Sequence, residues 1–321
     1  MMTILVGDLG GTHTRLALAD LADGQVSLRQ VMRYHNDQHA DLAVILANYA
    51  DALPETCCLA VAGPTDGQSV RFTNLDWRIE TPALSRQFGF TRCRLINDFS
   101  AVGWGLNSLT DASLSILQAG QPIAGSPRVA LGAGTGLGVS LCNWHGGTYR
   151  PLASEGGHIG FAPVNPEQDR LLAFLRGLYG RVSIERILSG PGLLDVFRYC
   201  LAETAASTSP LLDAEHPAAA ISQAGLERTD PIAMRCMRLF IEIYGQTAGD
   251  WALAAQARGG VFLAGGIAPK LLPALADGDF MTGFQAKGRY RDWMREVPVA
   301  VILDPDIGLK GAACAAATQD L

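Results

Sequence analysis

This chain lacks the sequence signatures of several common protein classes. It contains no Gly-Lys dipeptide, which excludes a P-loop, and no Gly-x-Gly-x-x-Gly opens a helix after a strand. Its seven cysteines include no Cys-x-x-Cys pair, so we expect reduced thiols of a cytoplasmic protein. The start, Met1-Met2-Thr3, carries no basic segment, and no apolar run is long enough to span a bilayer. We therefore expect neither a signal peptide nor a membrane partner.

A net positive charge is also missing. The formal net charge is −6, which provides no basic surface for nucleic acid, so we expect no nucleic-acid partner. A phosphate-bearing ligand would need local backbone dipoles, a few Lys or Arg side chains, or a metal ion. The 321 residues are 48% hydrophobic and 17% charged, which is typical of a compact globular enzyme with about two domains.

A glycine-rich segment occurs twice, each time between two apolar, strand-like runs. The copies are Val6-Gly7-Asp8-Leu9-Gly10-Gly11-Thr12 and Leu131-Gly132-Ala133-Gly134-Thr135-Gly136-Leu137-Gly138. This pattern predicts two strands joined by a tight turn whose backbone N–H groups can approach an anion closely. Either copy alone also fits a structural turn without a ligand. Two copies favour a duplicated phosphate-binding domain.

Strand-like and helical runs alternate through the first hundred residues, as in an α/β domain. We predict strands over 16–19, 58–62 and 93–96, and helices over 41–53, 82–88 (with Thr81 as N-cap) and 98–106. The Gly- and Pro-rich segment 110–128 is predicted to be a loop that crosses between domains. Beyond the second glycine segment we predict helices over 169–179, 192–206 and 231–258, strands over 260–264 and 301–303, and a helix over 311–318. The predicted division is a small α/β domain, 1–109 plus 302–321, and a large α/β domain, 110–301.

Asn97 and Asp98 follow the predicted strand 93–96, at the position where ligands bind in α/β folds. A carboxylate there can accept a proton from a substrate hydroxyl, and the amide can orient that hydroxyl. Both side chains also fit the role of a cap for the next helix.

Three more polar side chains are candidates for binding a polyhydroxylated ligand. Glu155 and His158 lie three residues apart in a glycine-flanked loop, and Glu185 opens the stretch that leads to Ser189. His158 also fits a structural histidine, and Glu185 a solvated charge or an ion pair with Arg186 or a neighbour. A zinc site is disfavoured, because no cysteine or second histidine lies at ligand spacing.

A double glycine, Gly265-Gly266, ends the predicted strand 260–264. Two residues without side chains allow the backbone to lie against a flat base and a ribose. They equally fit a tight turn between a strand and a helix.

Taken in order, these segments resemble the bacterial glucokinase family, and the likeness extends over nearly the whole chain. Its motifs are Gly7 to Thr12, Ile96-Asn97-Asp98-Phe99, Gly132 to Gly138, Glu155-Gly156-Gly157-His158, Leu188-Ser189-Gly190-Pro191-Gly192 and Leu263-Ala264-Gly265-Gly266-Ile267. Arg15 and the pair Thr73-Asn74 lie in similar stretches. A related sugar-kinase and repressor family has a cysteine-rich zinc motif after the Glu-x-Gly-His segment. This chain has none, which favours the zinc-free glucokinase branch.

The resemblance implies an actin-like ATPase fold with two ribonuclease H-like domains and a cleft between the small and the large one. It implies a cytoplasmic, homodimeric enzyme that uses ATP and Mg²⁺ to phosphorylate glucose at the 6-hydroxyl, the entry step of glycolysis. Asp98 would be the general base, and Asn97, Asp98, Glu155, His158 and Glu185 would bind the sugar. The nucleotide would contact Gly7, Asp8, Leu9, Gly10, Gly11, Thr12, Gly132, Gly134, Thr135, Gly136, Gly265 and Gly266, with Asp8 holding Mg²⁺ through water.

Two alternatives stay open. A kinase for another hexose fits the same motifs, because epimers differ in the position of one hydroxyl. A non-catalytic, sugar-sensing regulator could share the fold. Strand-like sequence from Ile4 onward and the acidic charge disfavour it, since we expect no room for an N-terminal DNA-binding helix pair.

Overall fold

The protein is described here by a computed structural model that covers residues 2–22, 24–50, 52–72, 75–204 and 208–318. The strands are β1 (Met2–Leu9), β2 (His13–Ala22), β3 (Gln25–His35), β4 (Thr56–Val61), β5 (Ser69–Arg71), β6 (Arg78–Glu80), β7 (Arg92–Asn97), β8 (Leu114–Gln118), β9 (Arg128–Ala133), β10 (Leu137–His145), β11 (Thr148–Leu152), β12 (Gly260–Ala264) and β13 (Val299–Ile302). The α-helices are α1 (Leu42–Tyr49), α2 (Thr81–Phe88), α3 (Asp98–Gly105), α4 (Pro166–Tyr179), α5 (Gly190–Ala202), α6 (Pro217–Leu226), α7 (Pro231–Ala255), α8 (Leu272–Ala276), α9 (Asp279–Gln285), α10 (Arg291–Arg295) and α11 (Ile307–Ala317). Short 3-10 helices include Asn36–Gln38, Gly156–His158 and Ile184–Arg186.

The chain forms two compact units. Unit 1 consists of Met1–Ser113, Trp144–Ala153 and Asp304–Leu321, and unit 2 of Leu114–Asn143 and Ser154–Leu303. The domain bounds expected from the sequence, 1–109 plus 302–321 for the small domain and 110–301 for the large one, stay a prediction. The units differ from them mainly in assigning Trp144–Ala153 to unit 1.

Unit 1 is built on a five-stranded sheet with the order β3-β2-β1-β4-β7. β1, β2 and β3 are antiparallel neighbours, whereas β4 and β7 run parallel to β1. Successive side chains of a strand point to opposite faces, so β1 contributes to two cores. Leu5 and Leu9 pack with α1 and α2, while Ile4 and Val6 pack with α3 and α11. Apolar side chains therefore cover both faces of the sheet.

Unit 2 repeats this plan. Its strands belong to a six-stranded sheet with the order β11-β10-β9-β12-β13-β8, in which a glycine-turned antiparallel pair, β9 and β10, lies beside the parallel strands β12 and β13. One large core joins this sheet to α4, α5, α6 and α7. The shared topology confirms the prediction of a duplicated α/β domain.

Most elements agree with the sequence-based predictions, but several do not. Segment 110–128 is not simply a loop, because it contains β8, which pairs with β13. The elements that were not predicted are β3, β5, β6, β11, α6, α8, α9 and α10. The cap position of α2 is Glu80 rather than Thr81, and no side chain caps that end. The helix predicted over 192–206 spans Gly190–Ala202, and residues 205–207 lie outside the described residues, as do Thr73 and Asn74.

No helix within the described ranges is both long enough and apolar enough to cross a bilayer.

Candidate active site

The first glycine turn, residues 10–12, joins β1 to β2 in unit 1. The Gly10 N–H donates to the carbonyl oxygen of His13 at 2.9 Å and closes the turn. A Cβ placed on Gly11 would meet no described atom within 4 Å, so open space borders this residue. A Cβ on Gly7 would lie 2.7 Å from the Leu59 side chain. Close packing against Leu59 therefore explains the glycine at position 7. Gly11 differs from Gly7 because the space beside it is open.

Asp8, near the end of β1, lies opposite Arg15 on β2. Burial raises the pKa of the Asp8 carboxyl, and the nearby Arg15 guanidinium partly opposes this shift. Arg15 also forms an ion pair with Asp306 and donates to the carbonyl oxygen of Pro305 at 2.9 Å. Asp8 is therefore a partly buried carboxylate whose cationic neighbour is shared with a second carboxylate.

Asn97 and Asp98 lie at the same edge of the unit 1 sheet as the first glycine turn. Leu9 is in register with Val61, and Val61 with Asn97, along the parallel strands β1, β4 and β7. Since neighbouring strands are about 4.8 Å apart, the ends of β1 and β7 are separated by about 10 Å. At that distance, a phosphate bound at the turn and a hydroxyl bound at Asp98 can lie close enough to react with each other.

The side chain of Asn97 caps α3. Its Oδ1 accepts hydrogen bonds from the N–H groups of Phe99 and Ser100 at 2.9 and 3.0 Å. Its Nδ2 faces the carbonyl oxygen of Gly63 at 3.4 Å. Asp98 is the first residue of α3, and its Oδ1 accepts from the Phe99 N–H at 2.8 Å. The capping role considered for Asn97 is thus observed.

The second glycine turn, residues 134–136, joins β9 to β10 in unit 2. The Gly134 N–H donates to the carbonyl oxygen of Gly136, and the Gly190 N–H donates to the carbonyl oxygen of Gly134, both at 2.8 Å. The Glu185 carboxylate accepts from the Leu137 N–H at 2.9 Å. The segment from Glu185 to Gly190 therefore holds this turn in place.

The unit 2 candidates for sugar binding lie next to the second glycine turn. His158 Nδ1 is 3.8 Å from Glu185 Oε1, so the two side chains are neighbours. Glu155 precedes the 3-10 helix Gly156–His158, and its carbonyl oxygen accepts from the His158 N–H at 3.0 Å. A Cβ on Gly157 would lie 2.0 Å from the Leu137 carbonyl oxygen, so only glycine allows this approach.

The Arg186 guanidinium does not form an ion pair with the Glu185 carboxylate. Its guanidinium lies over the ring of Tyr179, 4.1 Å from the centroid, and the Tyr179 hydroxyl donates to the buried Asp195 carboxylate at 2.5 Å. The Glu185 carboxylate instead faces Leu137 and His158.

Gly265 and Gly266 follow β12, which pairs with β9. Gly265 has a φ of +77°, and a Cβ there would lie 2.6 Å from the Ala133 carbonyl oxygen. A Cβ on Gly266 would meet no described atom within 4 Å. The double glycine therefore places open backbone directly beside the second glycine turn.

Two supporting residues had no recognisable signal in the sequence. Asn36 binds the first glycine turn and is 1% exposed. Tyr244 of α7 is fully buried, and its hydroxyl accepts from the Ala133 N–H at 3.4 Å. Burial raises the pKa of the Tyr244 hydroxyl well above its usual range. Neither a single Asn after a strand nor a Tyr in an apolar helix indicates from the sequence alone which residue it will contact.

Comparison with known proteins identifies the family. A family model described as Glucokinase matches residues 5–319. This chain belongs to the glucokinase family. The curated glucokinase of Nostoc punctiforme is 37% identical, with 99% of each chain covered. A solved structure of a glucokinase from an Antarctic psychrotroph is 30% identical, with a TM-score of 0.89 and coverage of 98% of this chain and 99% of the other.

A more distant structure shares the fold. The ROK-family glucokinase of Streptomyces griseus, solved with glucose and AMPPNP, is 20% identical, with a TM-score of 0.68 and coverage of 98% and 99%. The predictions of a glucokinase-family enzyme and of an α/β, actin-like ATPase fold are therefore confirmed. The individual site residues remain predictions.

Proposed function

We propose that this glucokinase-family chain transfers the γ-phosphoryl group of ATP to the 6-hydroxyl of glucose, with Asp98 as the general base. The observation that carries this proposal is the placement of Asp98 at the same sheet edge as the first glycine turn and Asp8. The names of the relatives and the ligands bound to the Streptomyces griseus enzyme support the choice of substrates.

Asp98 provides the proton acceptor. As the 6-oxygen attacks the γ-phosphorus, its proton passes to the Asp98 carboxylate and ADP leaves. Asp98 opens α3, where the positive end of the helix dipole stabilises a carboxylate anion. Phosphoryl transfer depends mainly on alignment and charge stabilisation, so a correctly placed base and correctly placed N–H donors are sufficient roles for the protein.

The remaining hydroxyls are assigned to Asn97, Glu155, His158 and Glu185. Asn97 uses Oδ1 to cap α3, and its Nδ2 carries two N–H groups. One of them is directed to the Gly63 carbonyl oxygen at 3.4 Å, and the other is assigned as the donor toward sugar. His158 and Glu185 are adjacent and present a donor and an acceptor within one small region. Polar groups that bind one hydroxyl each give a site its preference among hexoses.

The nucleotide is assigned to the two glycine turns and to the double glycine. Open space at Gly11, Gly134 and Gly266 lets backbone N–H groups lie close to phosphate oxygens and to the adenosine. The same segments contribute further residues to the nucleotide site, namely Gly7, Leu9, Gly10, Thr12, Gly132, Thr135, Gly136 and Gly265.

Asp8 fits the role of holding Mg²⁺ through water. It is a partly buried carboxylate whose pKa is raised by burial, so a nearby cation would stabilise its charged form. Mg²⁺ usually keeps several waters and needs only one or two protein carboxylates, which a lone aspartate satisfies. Among the described residues, no three His, Cys, Asp or Glu side chains form a metal cluster. When bound with ATP, the ion neutralises part of the phosphate charge.

We further propose a cytoplasmic homodimer, on the basis of the family resemblance. All seven cysteines are free thiols, as suits a reducing compartment. Light scattering on the purified protein tests the dimer, since each chain has a mass of 34.0 kDa.

The product of the reaction tests the proposed function. Glucose labelled with ¹³C at C6 is incubated with the protein, ATP and Mg²⁺, and the C6 resonance is followed by NMR. Splitting of that resonance by phosphorus is expected. Phosphate on another carbon would contradict the 6-hydroxyl assignment, and a preference for another hexose in competition would support the alternative substrate.

Gly11→Ala is expected to raise the KM for ATP about tenfold or more, because the new methyl group occupies space assigned to phosphate. Thermal stability should change little, since that methyl meets no described atom. Gly177→Ala in the exposed part of α4 is the matched control and is expected to stabilise the protein by about 1 kcal/mol without changing the KM. An unchanged KM for Gly11→Ala would remove the first turn from the nucleotide site.

Asn97→Asp separates the two roles of Asn97. The variant keeps an oxygen that can cap α3 but loses the Nδ2 donor, so stability should be nearly retained while the KM for glucose rises about tenfold. Asn97→Ala loses both roles and is expected to cost about 1 kcal/mol of folding stability in addition. A normal KM for glucose in both variants would show that Asn97 only caps the helix.

A further inference from the structure

Asn36 contacts the first glycine turn from outside its own segment. It opens the 3-10 helix Asn36–Gln38, directly after β3, and is 1% exposed. Its Nδ2 donates to the Gly10 carbonyl oxygen at 2.8 Å, and its backbone N–H donates to the Thr12 carbonyl oxygen at 3.0 Å. One residue thus binds a carbonyl on each side of Gly11.

A buried hydroxyl fixes the orientation of the Asn36 amide. Thr14 is fully buried, and its Oγ1 lies 2.8 Å from Asn36 Oδ1, to which it donates. Because the Gly10 carbonyl can only accept, the amide nitrogen must face Gly10, and the oxygen must face Thr14. Oδ1 and Nδ2 therefore each have a hydrogen-bond partner, and Nδ2 is the atom that contacts the turn.

Peptide geometry converts this contact into an orientation of the turn. A trans peptide points its C=O and its N–H in opposite directions. When Asn36 binds the Gly10 carbonyl oxygen, the N–H of Gly11 in the same peptide points away from Asn36. A Cβ added to Gly11, the residue that carries this N–H, would meet no described atom within 4 Å, so there is room for a ligand beside the residue.

We propose that Asn36 is a positioning residue for nucleotide binding, which holds the Gly10–Gly11 peptide so that its N–H faces the phosphates of ATP. The inference rests on the proposed function, since it takes the first glycine turn to be a phosphate site. Asn36 itself does not touch the nucleotide. It acts through the peptide that it orients, and without it that peptide can rotate and present its carbonyl oxygen to a phosphate.

Asn36→Asp tests the proposal, because it keeps the acceptor for Thr14 and loses the donor to Gly10. We expect the KM for ATP and the dissociation constant of Mg-AMPPNP, measured by calorimetry, to rise about tenfold, with the KM for glucose within twofold of wild type. Asn36→Ala is measured in parallel and serves alone if the aspartate variant does not fold.

Asn107→Asp is the matched control. Asn107 also lies in unit 1, and its Nδ2 donates to the Tyr149 carbonyl oxygen at 2.8 Å while its Oδ1 accepts from the Tyr149 N–H. The variant loses the same kind of donor away from the glycine turn, so thermal stability should fall while the KM for ATP stays unchanged. Equal nucleotide affinity in wild type and the Asn36 variants would overturn the inference. Failure of wild type itself to use ATP would instead count against the proposed function.

Discussion

Replacement of Asp98 by Asn is expected to lower kcat for glucose phosphorylation by about 10² to 10⁴-fold, because the amide cannot accept the proton of the 6-hydroxyl. The dissociation constant for glucose should change by only a few-fold, since an amide still hydrogen-bonds the hydroxyl. Asp98→Ala should give a similar loss of kcat and somewhat weaker glucose binding. Steady-state kinetics and calorimetric glucose titration provide both numbers.

A structural effect of the Asp98 variants can be separated from a chemical one. Asp98 Oδ1 accepts from the Phe99 N–H at the start of α3, and the Asn side chain retains an oxygen for this bond. Asp98→Asn should therefore unfold within a few degrees of wild type. A variant with near-normal kcat would exclude Asp98 as the base, and a large loss of stability with normal kcat would assign it a structural role.

Asp8→Asn is expected to reduce ATP turnover strongly and at the same time to stabilise the nucleotide-free protein. The loss follows from removal of the carboxylate proposed to hold Mg²⁺ through water. The gain follows from burial, which raises the pKa of Asp8 above its usual value of 3.8 and so makes its charged form unfavourable in the folded state. Kinetics as a function of Mg²⁺ concentration and chemical denaturation test the two effects together.

The stabilisation of the nucleotide-free protein by Asp8→Asn should increase with pH. A carboxyl whose pKa is raised by folding binds more protons in the folded than in the unfolded state, so its contribution to stability falls as pH rises above 3.8. The advantage of Asp8→Asn should therefore be absent below that pH and should grow until the folded-state carboxyl has lost its proton. Asp20→Asn is the opposite control, because hydrogen bonds from Thr3 and Arg29 lower the pKa of Asp20. An Asp8→Asn variant that is less stable than wild type at neutral pH would contradict the account.

Local sequence patterns predicted the elements that carry the site. The glycine hairpins are visible because apolar runs flank glycines at a fixed spacing, and β1–β2 and β9–β10 form where this pattern occurs. Asn97 and Asp98 were singled out because the apolar pair Leu95-Ile96 comes directly before them at the end of a strand-like run. Such features depend on neighbouring residues, so they need no knowledge of distant contacts.

Features that depend on long-range packing were not predictable. β3 is largely exposed along one side and carries Arg, Gln and Ser, so its apolar alternation is weak. β8 has only five residues and lies within segment 110–128, which was predicted to be a loop. The glycines and prolines that suggested a loop all come after β8 in the sequence. The contact of Asn36 with Gly10 joins residues 26 positions apart and exists only when β3 brings them together.

The consumption of ATP with and without glucose tests the central claim most directly. Purified protein, ATP and Mg²⁺ are assayed with glucose, mannose, fructose, N-acetylglucosamine or no sugar at equal concentrations. We expect strong turnover with glucose, little without sugar, and glucose 6-phosphate as the product. Turnover confined to another hexose would contradict the substrate assignment, and the absence of turnover with every sugar would contradict the enzymatic function itself.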